Sequence, residues 1–257
     1  MKRTHHLATL FVLLSIALTI IAPVLAVADV LVLSPHPDDD IVMASGVIYR
    51  ALQNSEAVRV VYMTNGDYSG LQAGSLRPGE AVDGQAQLGV DENDLLFLGY
   101  PDGGLDEVRI SYPSSSDVYI SVHGQSETYG SRGLGLSDYH SYRFGSPAPY
   151  NGANITLDLK TILADFQPDH IFTTAEYDST SDHRATYDFL KLALAQLTAE
   201  NPAYHPTIHK TIVWARNSSV WPNAYEPGGY FSDAINLSGT PLLWSERNRF
   251  RSDRRCH

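Results

Sequence analysis

Short runs of consecutive aliphatic residues alternate along the chain with segments in which apolar residues recur every three or four positions. Runs of the first kind are typical of strands buried on both faces of a parallel sheet, and segments of the second kind are typical of amphipathic helices. The pattern predicts strands at 29–33, 58–63, 95–98, 170–174 and 211–214, and helices at 41–52, 80–88, 157–166 and 185–197. Strands and helices that alternate with short connections indicate βαβ units, so the chain is predicted to have an α/β fold with a mostly parallel sheet.

The segment from 107 to about 150 interrupts this rhythm. It is rich in Ser, Gly and Tyr and contains few aliphatic runs. We interpret it as a long ordered insertion over one edge of the sheet. Its tyrosines suit either packing of the glycine-rich loop or a rim on which a sugar could stack. With 257 residues, 43% of them hydrophobic, the chain can bury one large core, and we predict a single domain from 29 to 257.

The N-terminus predicts export. Lys2 and Arg3 precede an apolar stretch from 7 to 27 that ends in the small-residue pattern Ala26-Val27-Ala28. This is the layout of a signal peptide over residues 1–28, which would make the protein secreted or extracytoplasmic. The alternative is an uncleaved membrane anchor, because about 20 apolar residues can span a bilayer.

Charge and cysteine content exclude several classes of protein. The formal net charge of −11 argues against a nucleic-acid binder and against attachment to anionic lipid, both of which need a basic surface. Cys256 is the only cysteine, so neither a disulfide framework nor a thiolate metal cluster is expected. Contact with a membrane is expected only if the N-terminal segment is not cleaved.

Histidine and aspartate side chains follow two of the predicted strands. His36, Asp38 and Asp39 come directly after the first strand, and Asp182 and His183 come after the strand at 170–174. Because the carboxyl ends of parallel strands meet at one edge of the sheet, these side chains are expected to share a crevice. Two imidazoles and a carboxylate form a ligand set for a catalytic zinc with a position left open for water. Asp38 would then face the bound water and take its proton.

These residues belong to an ordered set of motifs that resembles the LmbE-like, or PIG-L, family of zinc-dependent N-deacetylases. The motifs run through HPDD at 36–39, TNGD at 64–67, Arg77 with Glu80, LGYPDGGL at 98–105, and Asp182-His183. The resemblance implies a Rossmann-like three-layer sandwich and removal of acetyl from an N-acetylglucosamine-type sugar, glycolipid or glycan. It also implies that His36, Asp39 and His183 bind one Zn²⁺ or another divalent ion. Asp38 would be the general base, and Arg77 would face the substrate.

Two positions depart from the family's pattern. Asp40 stands where the first motif usually ends in Glu, and Thr180 stands where many members have a histidine that acts as an acid. We therefore expect either that Asp38 carries the proton in both directions or that His140 or His123 from the insertion replaces the missing acid.

Simpler interpretations exist for several of these residues. Asp38 and Asp182 could be helix caps, and Arg77 could pair with Glu80 on a solvated helix face. Asp102 lies in a Pro-Asp-Gly-Gly turn where backbone conformation alone explains the residue types, so we leave it out of the predicted site. A carbohydrate-binding protein without catalytic activity and a metal-dependent phosphoesterase are the competing functions.

Overall fold

A five-stranded sheet with helices on both faces forms the frame of the molecule. The structure is a computed structural model that describes residues 28–130 and 132–214. Its strands are β1 (Val30–Ser34), β2 (Val58–Thr64), β3 (Leu95–Tyr100), β4 (His170–Thr174) and β5 (Thr207–Thr211). Its helices are α1 (Asp39–Gln53), α2 (Leu71–Leu88), α3 (Leu105–Ser111), α4 (Tyr139–Phe144), α5 (Gly152–Phe166) and α6 (Ser181–Glu200), with a short 3-10 helix at Glu92–Asp94.

All strand pairs are parallel, and the strand order is β3-β2-β1-β4-β5. Alternate residues of β1 supply two separate cores because successive side chains in a strand point to opposite faces. Leu31 and Leu33 pack with α3, α5 and α6, whereas Val30 and Val32 pack with α1 and α2. This is the predicted Rossmann-like three-layer arrangement, and the α/β prediction is confirmed.

The strand order places a crevice between β1 and β4. From β1 the chain moves outward through β2 to β3, then returns to the other side of β1 as β4. The loops after β1 and β4 therefore leave the sheet in opposite directions, which opens a crevice at their carboxyl ends. The first loop carries His36, and the second leads into α6, whose first turn carries His183.

Several predicted elements have different boundaries in the structure, and the largest difference is in α2. Helix α2 begins at Leu71 rather than Glu80, although it contains Pro78. The added turns pack against the insertion, because the Tyr129 hydroxyl approaches Gly74 so closely that a side chain there would collide with it. Strand β5 covers 207–211 rather than 211–214, because its polar residues pair in register with β4 at the edge of the sheet.

The insertion is ordered and packs against the core. It contains α4 and the end of α3, and its tyrosines Tyr139 and Tyr150 are buried in the core cluster that includes Leu31. The Tyr129 hydroxyl donates to Asp67 at 2.8 Å. Packing therefore accounts for these tyrosines, and none of the three lines the crevice described below.

The predicted signal peptide lies almost entirely outside the described residues, as do Cys256 and the rest of the chain after 214. Within residues 28–130 and 132–214, no helix combines the length and the hydropathy needed to cross a bilayer.

Candidate metal centre and active site

Hydrogen bonds from β2 and from the end of β1 hold the turn between β1 and α1 in place. The Thr64 N–H and hydroxyl both donate to the Pro35 carbonyl at 3.1 Å, and the Ser34 hydroxyl donates to the His36 carbonyl at 2.8 Å. Asp39 then begins α1, and its Oδ2 accepts from the His36 N–H at 3.2 Å. The three-residue spacing thus brings the Asp39 carboxylate back onto the histidine.

Three donor atoms from β1–α1 and α6 form a small triangle. His36 Nδ1 lies 2.9 Å from Asp39 Oδ2, His183 Nε2 lies 3.1 Å from the same oxygen, and the two nitrogens are 3.3 Å apart. Ligands at about 2.0–2.1 Å from a tetrahedral zinc are separated by about 3.3 Å, so the triangle matches the face of such a site. This group of residues could hold a divalent metal ion.

Further carboxylates hold the outer nitrogen of each imidazole. His36 Nε2 lies 3.1 Å from Asp102 Oδ1 and 3.5 Å from Asp182 Oδ2, and His183 Nδ1 lies 3.1 Å from Asp178 Oδ2. Such partners fix the orientation and tautomer of a ligating histidine. They direct His36 Nδ1 and His183 Nε2 toward the same point.

Asp102 and Asp178 are the two carboxylates of the site that sequence reasoning missed. Turn geometry alone accounts for Asp102 in the sequence, yet its carboxylate lines the crevice. Asp178 lies in the polar segment after β4, at the carboxyl edge of the sheet. This position is the one feature of the sequence that could have indicated a role in the site. Which ring nitrogen it would contact depends on how the loop after β4 folds back, and no local pattern contains that information.

Asp182 bonds the start of α3 instead of capping its own helix α6. The residue at the N-cap of α6 is Thr180, and Asp182 accepts from the N–H groups of Gly103 at 2.6 Å and Leu105 at 3.1 Å. These bonds hold the turn that carries Asp102 against α6. One buried carboxylate therefore positions a second carboxylate next to His36.

Asp38 and Arg77 form an ion pair at the mouth of the site. Arg77 Nη2 lies 2.9 Å from Asp38 Oδ1, and Arg77 Nη1 donates to the Gly66 carbonyl at 3.2 Å. Gly66 has φ +71°, and a side chain there would collide with the guanidinium group, so glycine is required. Asp38 makes no side-chain cap bond and is 65% exposed. The Asp38 side chain therefore does not cap the helix. Arg77 pairs with Asp38 and not with Glu80.

An open cavity of about 220 Å³ lies above the donor triangle. Besides His36, Asp39 and His183, it is lined by Asp38, Arg77, Asp102, Thr180 and Trp214. Three protein donors below an open cavity leave space for a water molecule and a substrate, as in catalytic metal sites.

A family model described as PIG-L, GlcNAc-PI de-N-acetylase, matches residues 31–194, which is more than half of the 257 residues. The chain belongs to the PIG-L family. This confirms the resemblance inferred from the motifs. No curated protein sequence matches the chain.

Solved structures with a similar fold include several deacetylases. N,N'-diacetylchitobiose deacetylase from Pyrococcus horikoshii is 21% identical with a TM-score of 0.45, over 69% of this chain and 52% of that one. The conserved protein TT1542 from Thermus thermophilus is 19% identical with a TM-score of 0.46, over 74% and 70%. A deacetylase from the teicoplanin biosynthesis pathway is 17% identical with a TM-score of 0.41, over 68% and 66%. The chain thus spans about half the length of the first of these structures.

The two departures from the PIG-L pattern have different structural outcomes. Asp40 is fully buried, accepts from the Tyr62 hydroxyl at 2.8 Å and also bonds Gln85, so the shorter side chain still braces α1 against β2 and α2. Burial raises the pKa of Asp40. Thr180 lines the cavity but offers no titratable group in place of the missing histidine.

Neither histidine of the insertion reaches the cavity. His140 is buried with Nδ1 2.7 Å from Asp158 Oδ1, whose other oxygen accepts from the Tyr100 hydroxyl at 2.7 Å. His123 Nε2 lies 3.0 Å from the Tyr68 carbonyl. The expectation that one of them replaces the acid is not supported by these positions, because both rings are engaged elsewhere.

In the metal-free site, the carboxylates raise the pKa of both histidines. Burial alone would lower the pKa of His183, but hydrogen bonds and charge from Asp178 and Asp39 outweigh it and raise the pKa to about 9. Burial likewise opposes protonation of His36, yet hydrogen bonds to Asp102, Asp182 and Asp39 raise its pKa well above the ordinary value. Burial opposes ionisation of Asp39, but the two histidines hold its pKa well below its usual range.

Metal binding is therefore expected to strengthen with rising pH. Because the pKa of His183 is raised from 6.5 to about 9, this histidine stays protonated between these pH values, where an unperturbed histidine would be neutral, and a ligating histidine must be neutral. Each displaced proton raises the apparent affinity about tenfold per pH unit across this window. Competition titrations with a chromophoric chelator between these pH values measure the slope. A zinc affinity independent of pH would contradict the expectation that His183 is protonated in the metal-free protein.

Proposed function

We propose that this chain is an exported, zinc-dependent hydrolase that removes the acetyl group from an N-acetylated sugar of the N-acetylglucosamine type. The main support is the convergence of His36, Asp39 and His183 below an open cavity that Asp38 and Arg77 border. Family membership supports the coarser statement, hydrolytic N-deacetylation, independently of this geometry.

Zinc is proposed as the metal because of the donor atoms. Two imidazole nitrogens and one carboxylate oxygen in a tight triangle suit zinc better than the oxygen-rich sites of magnesium or calcium. Iron or another divalent transition metal uses similar ligands, so zinc is preferred by donor type and geometry together. A bound divalent ion would polarise the acetamide carbonyl and make water a stronger nucleophile.

Residues of the chain itself would position and move the proton. Asp38 projects into the cavity next to the donor triangle, where its carboxylate can take the proton of an attacking water as the water oxygen bonds to the acetyl carbon. Asp38 would then return that proton to the sugar nitrogen as the carbon–nitrogen bond breaks, which yields acetate and a free amine. We assign both transfers to Asp38 because Thr180 offers no titratable group and because Asp102, which also lines the cavity, contacts His36 Nε2.

Arg77 would position the general base Asp38 and the substrate relative to each other. Its guanidinium touches Asp38 and the Gly66 carbonyl and lies 3.7 Å from Asp102 Oδ2. It therefore stands between the loops that follow β1, β2 and β3, where its remaining donors can bind sugar hydroxyls. The N-acetylated sugar would be part of a glycolipid or a glycan. The proposal of export rests on the N-terminal segment and not on the site.

The function is tested by acetate release from the full-length protein. We expect acetate from N-acetylglucosamine, its β-linked oligosaccharides or a glycolipid that carries it, with loss of release after chelation and recovery with Zn²⁺. Binding of sugar without acetate release would instead indicate a carbohydrate-binding protein. Release of phosphate from phosphomonoesters without release of acetate would indicate a phosphoesterase.

A further inference from the structure

Trp214 stands at the edge of the cavity on a segment to which the proposed chemistry assigns no role. It follows β5 and contributes to the cavity wall opposite the loops after β2 and β3 in the strand order. Its residue surface is 52% exposed. The other residues that line the cavity, among those that the structure describes, are polar or charged.

The main chain of Trp214 is fixed by the loop that carries the metal-binding histidine. Asp178 Oδ2 accepts from the N–H groups of Val213 at 2.8 Å and Trp214 at 3.0 Å. The Trp214 carbonyl accepts from the Ser179 N–H at 3.0 Å and from the Ser179 hydroxyl at 2.8 Å. The backbone of this tryptophan is therefore held on both sides by the segment after β4.

One carboxylate oxygen links the tryptophan to the candidate metal centre. Asp178 Oδ2 also lies 3.1 Å from His183 Nδ1, so the same atom contacts the imidazole and holds the main chain of Trp214. This link fixes the point of the main chain from which the indole ring extends. A wall built in this way is pre-organised, so little ordering is needed when a ligand binds.

The chemistry of the cavity selects a ligand with one apolar face. An indole ring offers a large flat apolar surface, whereas the rest of the cavity offers hydrogen-bonding groups and charge. A pyranose ring matches this division, because its C–H groups form an apolar face and its hydroxyls and acetamido group project from the rim. An acyclic acetamide has no such face.

We propose that Trp214 is the stacking wall for the sugar ring whose acetamido group lies at the donor triangle, so that the site selects pyranosides over acyclic acetamides. The proposal rests on the proposed deacetylase function and makes it more specific. Trp214 acts here as a positioning residue, because it contacts the ring and not the reacting atoms.

Substitution of Trp214 separates stacking from chemistry. We expect Trp214→Ala to raise KM for an N-acetylglucosamine substrate about tenfold or more while kcat changes less than about threefold. Trp214→Phe keeps an aromatic face and is expected to restore most of the loss. The kcat/KM for acyclic N-acetylethanolamine should be the same in all three proteins. Tyr142→Ala removes an aromatic residue of 60% exposure on α4 and serves as the matched control.

The comparison of substrates decides the outcome. The proposal would be overturned if Trp214→Ala lost kcat/KM equally for the sugar and for N-acetylethanolamine, or if its KM for the sugar were unchanged. Bound zinc per chain is measured in each variant, because a general disturbance through Asp178 would lower it and selective loss of stacking would not.

Failure of the deacetylase function is detected separately. If the wild-type protein releases no acetate, binding of N-acetylglucosamine is followed by saturation-transfer NMR on the same variants. Sugar binding that is weakened by Trp214→Ala and retained in Trp214→Phe would support the stacking wall without the reaction. Binding that is independent of residue 214 would overturn it.

Discussion

Replacing His183 by Ala is expected to remove the bound metal and to lower acetate release at least about 10³-fold, which corresponds to the several kcal/mol that a metal contributes to such a reaction. The substitution deletes one of three donors and leaves His36 and Asp39 as an incomplete set. It also leaves the Asp178 carboxylate without the imidazole that it orients. Elemental analysis of the purified protein and an acetate assay on the same sample measure both effects.

His205→Ala is the matched control for this variant. His205 is exposed and lies before β5, outside the donor triangle, so metal content and activity should equal those of the wild type. Circular dichroism of both variants shows whether the fold is kept. Stoichiometric metal in folded His183→Ala would refute the assignment of this residue as a ligand.

Asp38→Asn is expected to lower kcat by about 10²–10⁴-fold, the range typical of a lost general base or acid. Asparagine has nearly the same shape and can still accept from Arg77, but it cannot take a proton from water. Because Asp38 would both take the proton and return it, the loss should lie toward the upper end of this range. Initial-rate measurements at saturating substrate provide kcat.

Metal content distinguishes this variant from the first. Asp38→Asn should keep its metal, because Asp38 is not part of the donor triangle. Asp83→Asn changes an exposed aspartate on α2 and controls for the loss of one negative charge. Activity of Asp38→Asn within about threefold of the wild type would be far outside the range for a proton-transfer residue and would remove Asp38 from the mechanism.

The architecture explains why the candidate centre lies between β1 and β4. The two loops leave the sheet at its point of reversal, so donors from distant parts of the sequence meet there. Asp102, Asp178 and Asp182 lie against the outer nitrogens of the two histidines and favour the protonated imidazoles in the metal-free protein. A divalent ion would replace those protons, which is why the expected pH dependence of metal binding follows from the same residues.

Local pattern was sufficient for the frame of the fold and for the core of the site. Consecutive aliphatic residues predicted β1 and β2, because a strand buried on both faces must be apolar throughout. The spacing of His36 and Asp39 predicted their convergence, because three residues span one turn at the start of a helix. His183 was predicted to join them because parallel strands end at one edge of a sheet.

Tertiary structure decided the partners of those residues. Arg77 contacts Asp38 rather than its helix neighbour Glu80, His140 contacts the buried Asp158, and Trp214 reaches the cavity through Asp178. Each of these contacts joins residues from different loops or elements, and their geometry depends on how the intervening chain packs. Periodicity and local spacing therefore predicted the strands, the four longer helices and the donors that share an edge of the sheet, but not α3 and α4. The carboxylates that orient the histidines, and the aromatic wall beside them, depended on how the loops fold over that edge.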